Sequence, residues 1–579
     1  MDNDSDEEPW KFSATDFLSD SEEASMSNIL EFPEEVLSAF KTNQPPPEVA
    51  VEKALTLREH PAALISEFDA KLADLDAQVK ELEKEKNELE KVALPHRRKL
   101  QICDTVLAPI RHVPFDIIRE IARSTLPDYP TATTKDAPLS LCQVSSAWRT
   151  AALSIPELWT TLYISLKDVL SISRYKRRVI QWFERAKRRP VSLFIYFDFP
   201  VTHMETAKQA YGIFLRRIRS HVSQIQHLGV SAETLRDILP CFKDAGWALD
   251  GLKTLELQDK EFASLDWATF GTRPEPDVVL PSMDVFKSAA SLRSLIIEGD
   301  FYMRTGANPL IPWAQLTVVK LTEWLRDGDW VQIMLLCPQI VLGDFQIAAE
   351  EVPEVVAPKP VLEHLEELHL LLFDNSISAI DLLNLFLLPK LCMVNLRHEN
   401  IDDGATSLFP AKEVSALQTI ERFYFEDVWK KTTPLYVVEM ITEMSNLREL
   451  ELTDVVPGPT YQTLFEAMSF NTMAPILPML SSLYVVAPKK LTDWSNFVEM
   501  VRSRIFNVPA GCQPLSEVRV VIQQSWNRKM RRKVIPAIAG LKESLRACKE
   551  AGMRLSIGDN HDAIYSRRPA VVGPRWYPH

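Results

Sequence analysis

Three hydrophobic periodicities divide the chain. In 61–94, Ile65, Phe68, Leu72, Leu75, Val79, Leu82 and Leu89 recur at alternating three- and four-residue steps. This is the 3.5-residue seam of a coiled-coil helix, flanked by Glu and Lys. Lys86 takes the one polar seam position, which costs stability and can fix register. Pro95 and the basic run His96-Arg97-Arg98-Lys99 are expected to interrupt the helix, and a second helical piece runs from Leu100 to Leu107. The seam suits two partners, a second copy of the chain joined through 65–89 or a fold-back onto the chain itself.

From 225 onward an apolar-x-x-apolar-x-apolar pattern opens ten times, at Ile225, Leu252, Leu292, Leu316, Leu365, Leu391, Ile420, Leu447, Leu480 and Leu515. The openings are 24 to 49 residues apart. Helical patterns separate several copies, at 380–388, 437–444 and 497–505. Upstream, Ser192 to Phe197 reads as a buried strand, and Met553-Arg554-Leu555-Ser556-Ile557 as a closing one. Alternation along a strand commits the last two apolar positions of each copy to the core and turns the residue between them outward. The outward row includes Glu256, Ile296, Lys320, His369, Asn395, Tyr424, Glu451, Tyr484 and Arg519. Tyr and Arg are enriched in binding hot spots, so Tyr424, Tyr484 and Arg519 are the candidate substrate-binding residues. If the row faces solvent, truncating them leaves stability unchanged.

Between these regions, 108–159 shows two short helical stripes. Val113-Pro114 opens the first, with Ile117, Ile118 and Ile121 on one face. Prolines 127, 130 and 138 mark a loop over 125–138. The second stripe carries Leu141, Val144, Trp148 and Ala152, and Pro156-Glu157-Leu158-Trp159 closes the segment. A unit of about fifty residues is too small for a comfortable core of its own, so its apolar surface must meet the rest of the chain, a partner, or both.

Three stretches of this segment, in this order and spacing, resemble an F-box: Val113-Pro114-Phe115-Asp116-Ile117-Ile118, then Leu141-Cys142-Gln143-Val144-Ser145-Ser146-Ala147-Trp148-Arg149, then Pro156-Glu157-Leu158-Trp159. Val113 stands where the family usually has Leu, and Asp116 where it usually has Glu. With Ala108-Pro109-Ile110-Arg111 upstream, the form is similar to the F-box proteins abundant in mushroom-forming fungi. The ten-copy region resembles an irregular leucine-rich repeat, although the usual Asn or Cys three positions after the strand is missing from every copy. The expected fold is thus an α/β solenoid preceded by a small all-α F-box and an N-terminal coiled-coil helix. The expected divisions are an acidic disordered tail (1–56), the coiled-coil helix (57–105), the F-box (106–160), the solenoid (161–558) and a C-terminal tail (559–579).

Charge sharpens this picture. Of the formal net charge of −14, residues 1–40 carry −11, from twelve Asp/Glu against one Lys, which leaves −3 for the rest. A nearly neutral folded part argues against general nucleic-acid binding. Ser5, before Asp6-Glu7-Glu8, suits an acidophilic kinase, though a solvated tail is the simpler reading. The basic run within 172–190 can be a phosphate patch or, more simply, a helix face, because Val179, Ile180, Trp182 and Phe183 share its apolar side. Seven scattered cysteines suit a reducing compartment, cytoplasmic or nuclear. No run approaches the roughly 18 apolar residues of a membrane span. Neither glycine-rich phosphate loops nor nucleophile elbows nor Cys/His pairs with zinc spacing occur. No catalytic residue, metal or cofactor is therefore expected, and the chain reads as a binding protein rather than an enzyme.

The F-box resemblance implies a substrate-recognition adaptor. Val113, Pro114, Ile117, Ile118, Leu141, Val144 and Trp148 would dock on the Skp-type adaptor of a cullin–RING ubiquitin ligase, while the repeats hold an unknown protein substrate. The alternative is a non-catalytic scaffold that uses the coiled coil and solenoid without ligase assembly.

Overall fold

A computed structural model describes residues 32–42, 44–167, 169–198, 204–233, 235–260, 283–299, 311–348, 358–373, 379–399, 415–427, 435–453, 459–471, 476–487, 494–522, 536 and 538–558. Ser5 and the C-terminal tail lie outside them. The chain forms two compact units, 1–112 and 113–579.

In the first unit, helix α1 (Glu34–Phe40) packs on the start of a 60-residue helix, α2 (Glu48–Leu107). A Lys53–Glu35 ion pair of 2.7 Å joins the two. The 32–56 part of the expected disordered tail is therefore largely helical. Pro47, the N-cap, ends the proline run and sets the chain extended before α2. The expected interruption at Pro95 is also absent, because α2 runs unbroken through both Pro61 and Pro95. Each proline removes one backbone bond, to the carbonyls of Leu57 and Lys91. The helix is exposed on nearly every side, so water can take up those carbonyls.

The second unit opens with α3 (Phe115–Ser124), α4 (Leu141–Val144) and α5 (Ser146–Ser154). Pro114 is the N-cap of α3 rather than its first helical residue. The second stripe is two helices, not one. Ser145 breaks it with extended backbone and caps α5, its Oγ accepting from Trp148 N at 3.3 Å.

Among the described residues fourteen strands follow, all parallel and paired in chain order in a single sheet. They are β1 (Thr161–Leu166), β2 (Val191–Phe197), β3 (Ile225–Ala232), β4 (Thr254–Asp259), β5 (Ser294–Glu298), β6 (Val318–Leu325), β7 (Leu342–Ala348), β8 (Glu367–Phe373), β9 (Met393–Glu399), β10 (Arg422–Asp427), β11 (Glu449–Thr453), β12 (Ser482–Ala487), β13 (Glu517–Ile522) and β14 (Arg554–Gly558). Helices connect many of them, among them Val169–Ala186, Ala379–Asn384, Leu435–Glu443 and Ser495–Phe506. This is the solenoid-like α/β arrangement, in which each strand–helix step buries its face only against the neighbouring steps.

All ten copies of the repeat pattern become strands, and their apolar positions align. Leu228, Leu255, Leu295 and Val319 are register partners across β3 to β6, and Leu368, Val394, Phe423, Leu450, Leu483 and Val518 continue the row from β8 to β13. Each of these side chains is fully buried. The strand between, β7, escapes the pattern because Gly343 stands where the others have Leu, Val or Phe. A Cβ there would lie 2.5 Å from the ring of Phe345 and 3.2 Å from Leu368. The missing side chain makes room for a buried phenylalanine.

The expected boundary at 160/161 is not a boundary of packing. One apolar core runs from Ile118 on α3 to Ile557 on β14. Trp159 meets Trp182 edge to face at 4.7 Å, and Trp159 Nε1 donates to Ala152 O at 3.0 Å. The basic run fastens this junction. Arg178 donates to Ala132 O at 2.9 Å, Arg185 stacks 4.4 Å from Trp159, and Arg189 pairs with Glu157 at 2.5 Å. The loop 125–138 also covers the sheet's first edge, where Thr131 bridges Tyr163 and Tyr163 N donates to Pro130 O at 2.8 Å.

Arg504, with no exposed surface, is the largest buried charged side chain among the described residues. It donates to the carbonyls of Met468 (2.6 Å), Ile476 (2.6 Å) and Leu477 (2.9 Å) and lies 4.4 Å from the Phe470 ring. Burial pulls its basicity down to about 10, so it stays protonated at neutral pH. Leu477 is in the left-handed region, φ 52°, and the guanidinium holds that turn. Leu477 O also accepts from Leu480 N at 3.2 Å, so Arg504→Leu would strip the last donor from the buried Met468 carbonyl and a donor from the half-buried Ile476 carbonyl, and should cost about 2 kcal/mol or more. A urea midpoint within error of the unsubstituted protein would contradict this role.

Candidate functional site

Two surfaces of the second unit carry the candidate residues. On the helical segment the stripes divide by depth. Ile118, Leu141 and Trp148 are buried and join the common core, with Val113 partly buried beside them. Pro114, Ile117 (52% exposed) and Val144 (39%) face outward. The first three therefore position the surface and the last three form it. Phe115 belongs with the exposed group at 42%, with Arg119 stacked 5.3 Å from its ring. The sequence signal for it was present but weak: Phe115 sits off the Ile118–Ile121 side of the stripe, yet is as large and apolar as its neighbours.

The second surface is the sheet face opposite the core. Register brings the outward residues into one line: Tyr163, Phe194, Gly229, Glu256, Ile296, Lys320, Asp344, His369, Asn395, Tyr424, Glu451, Tyr484, Arg519 and Ser556. Tyr424, Tyr484 and Arg519 thus fall on one side of one end, with Glu451 between the tyrosines. They are not freely exposed. Tyr484 is 7% exposed, under the Arg519 guanidinium at 5.2 Å. Arg519 is held by Glu517 at 2.5 Å, and burial raises the Tyr424 phenol well above its ordinary range. Glu256, His369, Asn395 and Glu451 are buried as well. Strands about 4.8 Å apart press each outward side chain between two neighbours. The expectation that truncating Tyr424, Tyr484 and Arg519 spares stability is therefore corrected, because alanine at each removes packing and, at Arg519, an ion pair.

Polar atoms along this face are largely spent on one another. His227 Nε2 lies 2.8 Å from Glu256 Oε1. Ser231 donates to Gln258 (2.9 Å), which donates to Glu298 (2.8 Å). Asn395 Nδ2 lies 3.2 Å from His369 Nδ1, and Arg397 meets Glu426 at 3.0 Å. At the β1 end, Tyr129 from the 125–138 loop stands edge-on to Phe194 at 5.0 Å, its phenol pushed up to about 12 chiefly by burial. The face offers recognition by shape and charge. Among the described residues no three His, Cys, Asp or Glu side chains converge as metal ligands, and no helix is long and apolar enough to cross a membrane.

No protein-family model matches the chain, and no curated protein matches it.

Asp344 and His369 are register neighbours that titrate in opposite senses. Burial pushes the Asp344 carboxyl up to about 6, against the pull of Lys320 and Arg397. Burial, helped by Lys320, pulls His369 down to about 4, and burial alone takes His398 to about 3. Between pH 4 and 6 the folded state holds the extra proton on Asp344, so that residue makes stability fall as pH rises. In the same window the unfolded state holds the extra protons on the two histidines, so they make stability rise. Asp344→Asn removes only the falling contribution. Its urea midpoint should climb more steeply from pH 4.5 to 6.5 than that of the unsubstituted protein, and an equal or shallower climb would contradict the assignment.

Proposed function

We infer that the chain is a substrate-recognition adaptor, an F-box protein whose α3–α5 segment docks on a Skp-type adaptor of a cullin–RING ligase. Its leucine-rich-repeat-like sheet would hold a protein substrate near the ubiquitin-charged enzyme. Catalysis would then be by proximity. The observation that carries this reading is the exposure of Pro114, Phe115, Ile117 and Val144 on two short helices whose other faces are locked into the core. Pro114, Phe115 and Ile117 cluster within four residues at one helix start, and clustered rather than single exposed apolar side chains mark an interaction surface; the residues around them are those that resemble the F-box pattern. The sheet's outward face, polar and internally paired, supplies a rigid surface for the substrate, with Tyr424 and Arg519 its most accessible candidates. Tyr484 supports them from beneath.

Ile117→Asp tests the docking. Ile117 lies in the first turn of α3, where a carboxylate is favoured by the helix dipole, and half of its side chain is already in water. The melting temperature should move by less than about 2 °C. Binding to purified Skp-type adaptor should weaken more than about tenfold, because a charge then enters an apolar contact. Unchanged binding by this folded variant overturns the adaptor reading.

A further inference from the structure

We propose that α2 is one strand of a parallel, in-register homodimer, formed along a seam from Ile65 to Leu107. The seven apolar seam residues between Ile65 and Leu89 are 53–64% exposed, and Ala50 is the only buried residue of the helix. Sixty residues of helix gain little stability from local bonds alone. A helix in water is held chiefly by what covers its apolar stripe. The stripe calls for a partner helix of matching 3.5-residue period, and a second copy of this chain carries one.

Continuity through Pro95 lengthens the seam. With Ile65 taken as position a, the heptad runs Ile65, Phe68, Leu72, Leu75, Val79, Leu82, Lys86 and Leu89, and the unbroken helix carries the same register on to Ala93, His96, Leu100, Cys103 and Leu107. Leu100 and Leu107 are exposed at 62% and 71%. The seam is thus six heptads long, not the three or so that end before Pro95.

Charge decides the orientation. The e positions beside the core of the seam are Asp69, Asp76, Glu83 and Glu90, and the g positions are Lys71, Gln78, Glu85 and Val92. The e row continues with Arg97 and Asp104, and an antiparallel pair centred on the seam sets Asp69 against Asp104 and Glu83 against Glu90, with only Arg97 opposite Asp76 to relieve the repulsion. A parallel pair sets each g against the e of the next heptad in the other copy. Lys71 then meets Asp76, Gln78 meets Glu83, and farther on Lys99 meets Asp104. One like-charge pair remains, Glu85 with Glu90. Lys86, which with His96 is one of two ionisable seam residues, sits in that same heptad, where a parallel dimer lays it beside Glu85 of the other copy. The residue that weakens the seam therefore supplies the missing cation, and does so only in the parallel, matched register. Two sheet units per particle would give avidity toward any ligand that presents its recognition element twice. The dimer stands independently of the adaptor reading.

The test uses the full-length chain. Sedimentation equilibrium at micromolar concentration should give twice the 65.9 kDa chain mass, and a monomer overturns the proposal. Cys103 is the one exposed cysteine of seven and lies on the seam. Bismaleimidoethane should therefore join two chains, and Cys103→Ser should abolish the product. An antiparallel pair centred on the seam would hold the two Cys103 residues roughly 50 Å apart, so a dimer that fails to cross-link through Cys103 also overturns it. Leu75→Asp with Leu82→Asp should give monomer while the near-ultraviolet circular dichroism of the sheet unit is unchanged, and persistence of the dimer counts against the seam. Lys86→Leu is the gain-of-stability variant. It should tighten the dimer about tenfold or more, and no tightening contradicts a buried Lys86.

Discussion

The second unit depends on one interaction, the register-matched stacking of apolar side chains from strand to strand. From Leu162 on β1 to Val518 on β13 every strand but β7 places a Leu, Val or Phe at the same level. A second level two residues on, Ile164 through Ile557, repeats this. A one-residue slip of any strand would turn both levels to the wrong face. The alignment therefore fixes the whole sheet, and with it the line of polar side chains on the other side. The chemistry presented on that side is set by a constraint on this one.

The same constraint explains why the α3–α5 segment needs no core of its own. Trp159, Trp182 and the arginines of Val169–Ala186 join its helices to the first strand, so Ile118, Leu141 and Trp148 are spent inward. What remains outward is a small apolar surface on a rigid base. A docking surface built this way needs little ordering when it binds, which removes one of the usual costs of association.

Much of this was legible in the sequence, and the exceptions have physical causes. The ten repeat strands were visible because their Leu-x-x-Leu-x-Leu spacing is local. β7 was invisible because Gly343 replaces the diagnostic side chain, a substitution intelligible only beside Phe345 and Leu368. The continuity of α2 through Pro95 was missed because a proline in a helix interior is usually a break, and the exposure that permits it is not written in the neighbouring residues. Ile117 and Ile118 differ by one position and one helix turns them to opposite environments, yet a stripe three residues wide includes both. The crowding of Tyr484 and Glu451 was out of reach, since it depends on strands 27 to 35 residues away in sequence.

On the adaptor reading, the α3–α5 surface is where this chain would meet a Skp-type adaptor. Hydrogen–deuterium exchange on the full-length chain, alone and mixed with purified adaptor, measures this directly. The account predicts a stable complex in which 113–124 and 141–154 gain protection while β10 to β13 are unchanged. No complex, or a complex that protects the sheet and leaves those helices as they were, would contradict it.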